Sequence, residues 1–198
     1  MRVLIACEFS GIVRDAFTAV GHEAVSVDLE YSEKPGKHVV GDVRKLLGDG
    51  WDIMVAFPPC TALCNSGNRW YANTVDRDEA LDFVWELMHS PIKRWAIENP
   101  VGAINTEIRP PDQIIYPWQY GHGVKKTTCL WLQGLPKLRP TNMVKGRVPE
   151  VHWAAPGYWR WKERSRTYEG IARAMANQWG NGNLPVLEIP RPGERVEW

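Results

Sequence analysis

The chain has 198 residues, enough for one domain or one domain with a small appendage. Its 44% hydrophobic and 24% charged content is that of an ordinary soluble globular protein, and a net charge of +1 gives no global basic field for nucleic acid. No apolar run approaches the ~18 residues needed to cross a membrane, "MRVLIAC" is too short for a secretory signal, and four scattered cysteines form no disulfide framework, so a reducing cytoplasmic setting is expected.

The elements follow in chain order. "RVLIAC" is a short apolar run and reads as a buried strand. "IVRDAFTAVG" reads as a helix with Ile12, Val13, Phe17 and Val20 on one face and Gly21 as its stop. "EAVSVDLE" is a second strand ending in acid, and "GDVRKLLG" a short helix or turn. "WDIMVAF" is a third buried strand. "DRDEALDFVWELMHS" is the clearest helix, with Leu81, Val84, Trp85 and Met88 facing inward and acids in its first turn. "RWAIEN" is a fourth strand. Strand and helix alternate to about residue 104, which predicts βαβ units and a parallel sheet covered on both faces. Beyond it, "QIIYPWQYGHG" and "TTCLWLQG" read as an antiparallel pair. Residues 135–164 show no period, and "RSRTYEGIARAMANQWG" is a helix with Ile171, Ala172, Met175, Ala176 and Trp179 inward. The Pro-rich end is expected to be extended. The chain divides into a core at 1–134, a reduced recognition segment at 135–164, and a final helix and tail at 165–198.

Ligands of parallel α/β sheets sit outside the carboxyl ends of the strands. Four such ends carry small or polar residues: "CEFSG", "VDLE", "FPPC" and "AIENP". They should open onto one rim. Cys60 and Cys64 lie on that rim, in "FPPCTALCNSG". Their three-residue spacing matches neither a structural zinc site, which wants paired short spacings, nor a redox C-x-x-C. No metal is expected. Cys7 and Cys129, inside strand patterns, read as buried thiols. Cys60 reads either as another inert thiol or as a nucleophile on a Pro-fixed loop. Glu98 ends the neighbouring strand, where a carboxyl in an apolar rim would have a raised pKa and could donate a proton. Alone it reads as a capping or salt-bridging residue; the pairing with Cys60 lifts both. Asp28 sits where nucleoside-binding sheets keep a ribose-binding acid, and Asp42 follows the next turn. The single glycine of "FSGIV" is not a dinucleotide fingerprint.

Together these residues resemble the DNA (cytosine-5) methyltransferases. "ACEFSGIVRDAFTAVGHEAVSVD" is similar to their first motif, "GDVRKL" to their Gly-Asp motif, "FPPCTALCNSG" to their Pro-Cys-Gln loop, and "AIENP" to their Glu-Asn-Val motif. The likeness covers about residues 2–105, in order and spacing. It implies a Rossmann-like S-adenosylmethionine-dependent methyltransferase fold and a methyl transfer to cytosine C5 through a covalent Cys60–C6 adduct. Glu98 would hold and protonate N3, with Asn99 and Pro59 positioning the loop. The cofactor would be S-adenosylmethionine, held by Phe9, Ser10, Gly11, Asp28, Leu29, Asp42, Val43, Phe57 and Pro58. Substrate contacts would fall to Ser66, Gly67, Arg69, Lys125, Lys126, Trp159 and Arg160.

The chain also departs from the pattern. Val13 stands at the second glycine, Thr61 at the usual Gln and Cys64 at the usual Ser. "GVKKTTCLWL" replaces Gln-x-Arg-x-Arg, and the last motif is blurred in "TYEGIARAMA". The family's large target-recognition region shrinks to 135–164. That segment could clamp phosphates through Lys137, Arg139, Lys145 and Arg147 and stack through Trp153, Trp159 and Trp161, but could hardly read several base pairs. From Lys125 to Arg173, eleven Lys or Arg face three Glu, so a local basic face is as open as an ordinary solvated surface. The leading expectation is a minimal methyltransferase on duplex or single-stranded DNA with relaxed specificity. The alternatives are the same chemistry on a free cytosine nucleotide and a non-catalytic cofactor-binding partner subunit. A homodimer is compatible with either.

Overall fold

The computed structural model describes residues 1–145, 148 and 160–181. Its strands are β1 (Arg2–Ala6), β2 (Glu23–Asp28), β3 (His38–Val40), β4 (Ile53–Ala56), β5 (Trp95–Asn99), β6 (Gln113–Ile115) and β7 (Thr128–Gln133). They form one sheet in the order β3-β2-β1-β4-β5-β7-β6. The first five pair in parallel; β7 runs antiparallel to both β5 and β6. The expected antiparallel pair is therefore present, and the four polar strand ends share one edge of the sheet.

The helices are α1 (Ile12–Ala19), α2 (Asn68–Tyr71), α3 (Val75–Met88), α4 (Arg160–Ser165) and α5 (Glu169–Trp179). A parallel sheet must be covered on both faces, so its strands read as continuous apolar runs. Accordingly β4 is buried at every position. Val3, Ile5, Ile53 and Val55 face α1 and α5, where Val13, Phe17, Met175 and Trp179 complete one core. Leu4, Ala6, Met54 and Ile97 face α3 and Ile104, with Val84, Leu87 and Met88, in the other. The architecture is α/β and Rossmann-like.

All five α5 residues expected inward are buried. In α3, Val84 and Met88 are inward as expected and Leu81 is half-buried, but Trp85 is not inward. Trp85 is 54% exposed and stacks on His89, while Leu87 takes the inward place. Val20 is likewise exposed, beyond the end of α1. Strand β3 is not legible in the sequence because its exposed edge carries no alternation. It is held instead by the Ser26 hydroxyl against His38 Nδ1 at 2.8 Å. "QIIYPWQYGHG" yields only a three-residue strand before a 3₁₀ turn at Pro117–Gln119, and the aperiodic interval contains α4. The tail from residue 182 lies outside the described residues.

One buried charge shapes the rim. Arg14 is 1% exposed although it sits on a short helix. Its guanidinium donates to the Ser26 and Ser32 hydroxyls and to the Lys34 and Pro35 carbonyls, and pairs with Asp15. These bonds fold the chain after β2 back over the sheet edge. Gly36, at φ 147°, lies so close that a Cβ would stand 2.7 Å from the guanidinium carbon.

Trp179 is fully buried and its indole N–H reaches the Pro136 carbonyl at 2.9 Å. Trp179→Ala should cost about 3–5 kcal/mol, whereas Trp85→Ala at its exposed site should cost under about 1 kcal/mol. Chemical denaturation of the two variants checks the contrast.

Candidate functional site

β4 and β5 pair in register from Met54↔Trp95 to Ala56↔Ile97. Their carboxyl ends therefore leave the sheet side by side, with the Pro58–Pro59–Cys60 loop on one and Glu98–Asn99 on the other. Asn99 is buried and donates from Nδ2 to the Pro58 carbonyl at 2.8 Å, tying the two ends together. Its Oδ1 has no partner among the described residues.

The loop is then fastened along its length. The Leu63 and Cys64 amides both donate to the Cys60 carbonyl, closing one tight turn. The Ala103 amide donates to the Leu63 carbonyl at 2.7 Å, and Asn65 to Val101 at 3.2 Å. Gly102 is required here because a Cβ would collide with the Leu63 carbonyl. From α3, Arg77 donates to the Ala62 carbonyl and to Asn68 Oδ1.

Glu98 makes no side-chain hydrogen bond among the described residues. Burial pushes its carboxyl above the usual range, and the Lys126 ammonium opposes the shift. The capping or salt-bridging alternative for this side chain finds no bonded partner. Lys126 itself donates to the Arg164 carbonyl at 3.0 Å, joining the entrance of β7 to α4.

The two sulfurs of the loop are not equivalent. The Cys64 thiol lies 3.0 Å from the Ser66 hydroxyl. A side-chain hydrogen bond with Cys60 pulls Cys64 well below the usual thiol range, helped by Ser66 and the Gly67 amide. Cys60 is pushed up by that same bond, and by burial. Cys7 is also pushed up by burial, to about 12, and Cys129 is raised by burial within β7.

The other half of the rim surrounds β1 and β2. Glu8 is 4% exposed, and its Oε1 accepts from the Ser10 hydroxyl at 2.7 Å and from the Val13 amide at 3.1 Å. A carboxylate thus already occupies the first turn of α1. Dinucleotide folds keep that position for a pyrophosphate; here two negative groups would compete for it. A phosphate is therefore disfavoured at this turn. Glu8 Oε2 has no partner among the described residues, and burial raises the carboxyl. Gly11 takes a left-handed φ of 72° at the start of α1.

Asp28 accepts from the Glu30 amide, and burial raises its carboxyl. Leu29 beside it is 76% exposed. Asp42 caps the 3₁₀ turn at Val43–Leu46 through the Arg44 amide, which lowers its pKa, and also pairs with Arg44 at 3.2 Å. Val43 is buried among core residues, Pro58 is buried and Phe57 half-buried. Phe9 is enclosed, edge-on to Trp161 at 5.7 Å with Lys162 above its ring. Lys162–Glu30 at 2.9 Å and a two-bonded Arg166–Glu33 pair latch the chain around α4 onto the loop after β2.

Among the expected substrate residues, Ser66 and Arg69 are exposed, and the Arg69 guanidinium lies over Trp70 at 4.4 Å. Gly67 is buried against the Thr61 carbonyl. Lys125 is exposed and Lys126 half-buried. Trp159 and the Arg160 side chain lie outside the described residues, as do Arg147 and Trp153. Glu8 lies in a stretch expected at the rim but was given no role there, and Arg14, Arg77 and Gly102 were not expected to shape the rim; they act through contacts between distant segments.

The raised carboxyl of Glu98 has a stability consequence. Folded, it keeps its proton to higher pH than unfolded, so its cost is absent in acid and grows as pH rises through the folded value. Glu98→Gln should melt above the parent protein at pH 7.5, with the gap closing below about pH 4.3. Melting curves across that range check the sign.

No family model matches the sequence, and no curated protein matches it. Among solved structures, the crystal structure of S. pombe Dnmt2 methyltransferase matches at 16% identity with a TM-score of 0.49. The match covers 91% of this chain and 66% of that one, so the chain spans just under two thirds of that protein's length.

Proposed function

We propose that the chain is an S-adenosylmethionine-dependent methyltransferase acting on C5 of cytosine in DNA, with low or relaxed sequence specificity. The observation that carries this reading is the pairing of a thiol and an unpaired carboxyl at adjacent strand ends. Cys60 follows two prolines after β4, and Glu98, one residue before the end of β5, has no hydrogen-bonded partner among the described residues. A half-buried carboxyl without a partner gains from a ligand that satisfies it, and the N3 edge of cytosine would do so.

The chemistry needs both groups. The cytosine ring is a poor electrophile, so addition of sulfur at C6 must be matched by a proton at N3. The Cys60 thiol gives up its proton to solvent as its sulfur bonds to C6, while the Glu98 carboxyl, whose protonated form burial favours, donates its proton to N3. The C5=C6 electron pair is thereby released to C5. Bound S-adenosylmethionine would supply the methyl group there. Loss of the C5 proton to solvent, cleavage of the Cys60–C6 bond with reprotonation of the sulfur, and return of the N3 proton to Glu98 then restore the aromatic ring, the thiol and the acid. Asn99 holds the Pro58 carbonyl and so the angle at which Cys60 approaches.

The residues around β1 and β2 fit that cofactor. Its sulfonium and amino groups are cationic and suit the unpartnered oxygen of Glu8, and it brings no pyrophosphate to the occupied turn of α1. Asp28 would take the ribose hydroxyls, with Leu29 and Asp42 beside the base. Phe9, Ser10 and Gly11 shape the turn.

A second reading, the same methylation on a free cytosine nucleotide, is favoured by one observation. Only residues 134–159 separate β7 from α4, a short stretch for an element that must enter a major groove. Duplex DNA would also have to yield a flipped base.

Labelled S-adenosylmethionine offered with duplex DNA, single-stranded DNA, and cytosine mono- and triphosphates separates the readings. Label in either DNA pool is expected; label only in nucleotides moves the substrate, and cofactor binding with no labelled pool leaves a non-catalytic binder. A 5-fluorocytosine substrate should trap an adduct on Cys60, because fluorine cannot leave as the C5 proton does. Cys60→Ser should lose the adduct. Glu98→Gln should lower turnover roughly 10²–10⁴-fold while cofactor binding persists; near-normal turnover would remove Glu98 from the mechanism.

A further inference from the structure

Beyond the β5–β7 pair, the described residues form a polar cavity of about 300 Å³ that the chemistry above does not use. Resting on that reading, we infer that the cavity binds a phosphate group of the cytosine-bearing substrate, with Arg173 as its charged contact. The phosphate belongs either to a DNA strand or to the tail of a free nucleotide.

The sheet sets this cavity on the rim of the thiol and the carboxyl. β7 runs antiparallel to both β5 and β6, so β6 leaves the sheet at the same edge as Glu98. The turn that follows β6 supplies Tyr120, Gly121 and His122 to the cavity. Glu98 stands opposite Leu130 and alternates with Ile97, so it points to the face that Leu130, Ala96 and α5 pack. The cavity lies on that face too, because α5 forms its far wall. Lys126, whose ammonium acts on Glu98, follows His122 by four residues, a reach of at most ~14 Å.

Three segments distant in sequence build the site and hold its shape. The Thr141 and Asn142 amides donate to the Gln119 carbonyl, and the Gly121 amide donates to the Asn142 carbonyl at 2.8 Å. Gly170 lets α5 close against the turn, since a Cβ there would collide with the Tyr120 carbonyl. The Gly170 amide donates to His122 Nε2 at 3.0 Å, so in the neutral ring the proton sits on Nδ1. Burial, then the Arg173 guanidinium, hold His122 below its ordinary range, which keeps the ring neutral at pH 7 and above.

The polar groups around this frame are not spent on one another. The side chains of Thr141, Asn142 and Asn177 make no hydrogen bond among the described residues. They bring hydroxyl and amide donors, and no carboxylate lines the cavity among those residues. A guanidinium among neutral donors suits a phosphate, whose oxygens accept from its planar fork and from amides alike. Glu169 pairs with Arg173 at 3.4 Å, but both side chains are exposed, so the pair is weak and a phosphate can take its place.

Equilibrium titration without S-adenosylmethionine reads the site with no methyl transfer. The probes are a short single-stranded oligodeoxynucleotide containing cytosine, cytidine triphosphate, and cytidine, which has no phosphate. Arg173→Gln should weaken the phosphate-bearing ligand roughly tenfold and leave cytidine unchanged. For the oligonucleotide, the slope of log affinity against log salt should fall by about one. Asn142→Ala should weaken the same ligand. Glu169→Gln, which frees Arg173, should tighten it, a reversal that a merely structural role would not produce. A loss confined to the oligonucleotide assigns the phosphate to a strand; a loss that includes the triphosphate extends it to a nucleotide tail. Unchanged affinity of Arg173→Gln for both phosphate probes, an equal loss for cytidine, or no binding of either phosphate probe overturns the site. The methyl-transfer reading fails separately: phosphate-dependent binding with no labelled pool removes the chemistry and keeps the site, and labelled DNA with unchanged binding does the reverse.

Discussion

The parallel pairing of β4 with β5 is the constraint on which the rest of the site depends. It delivers two chain segments, some forty residues apart in sequence, to the same edge of the sheet with their ends aligned. Everything chemical follows from how those ends are then joined. Asn99 grips the Pro58 carbonyl, and the backbone from Val101 to Ala103 receives the turn that begins at Cys60. A nucleophile on a loop is only as well aimed as the loop is held. Here the two prolines restrict the approach, and the neighbouring strand end supplies the anchor.

The rim also concentrates groups that folding alone would not favour. Among the described residues, Glu8 and Asn99 each carry an enclosed polar atom without a bonded partner, Glu98 is a half-buried carboxyl with no side-chain hydrogen bond, and Arg14 is a fully buried cation. The two kinds of burial do different work. Arg14 meets acceptors in nearly every direction, and the result is a fixed shape for the chain after β2. Glu98 meets none among the described residues, and the result is a carboxyl whose pKa burial raises. Strain of this second type is what a binding site stores and a structural network does not.

The latch of α4 over the loop after β2 couples the two halves of the rim. Lys162 and Arg166 close onto Glu30 and Glu33, while Lys126, near Glu98, holds the Arg164 carbonyl. The β1–β2 half and the β4–β5 half of the rim are thus bridged by one short helix and the residue after it. That helix comes from the basic stretch after Lys125, so part of the local positive charge is used internally, against the acids of the first half.

The sequence by itself determined the layers and the rim. Continuous apolar runs can only be strands covered on both faces, and helical periodicity in "IARAMANQW" can satisfy only one buried stripe. The Pro-Cys and Glu-Asn pairs were legible because chain order and sheet adjacency coincide for β4 and β5. Trp85 misled because hydrophobicity alone does not say which side of a helix meets the sheet; Leu87 is buried in its place. What only the tertiary structure decided are the relations between distant segments. These include the burial of Arg14, the carboxylate of Glu8 filling the first turn of α1, the glycine at 102 that admits the Leu63 carbonyl, and the inequality of Cys60 and Cys64. Each depends on which atoms enclose a group, and neither spacing nor periodicity carries that information.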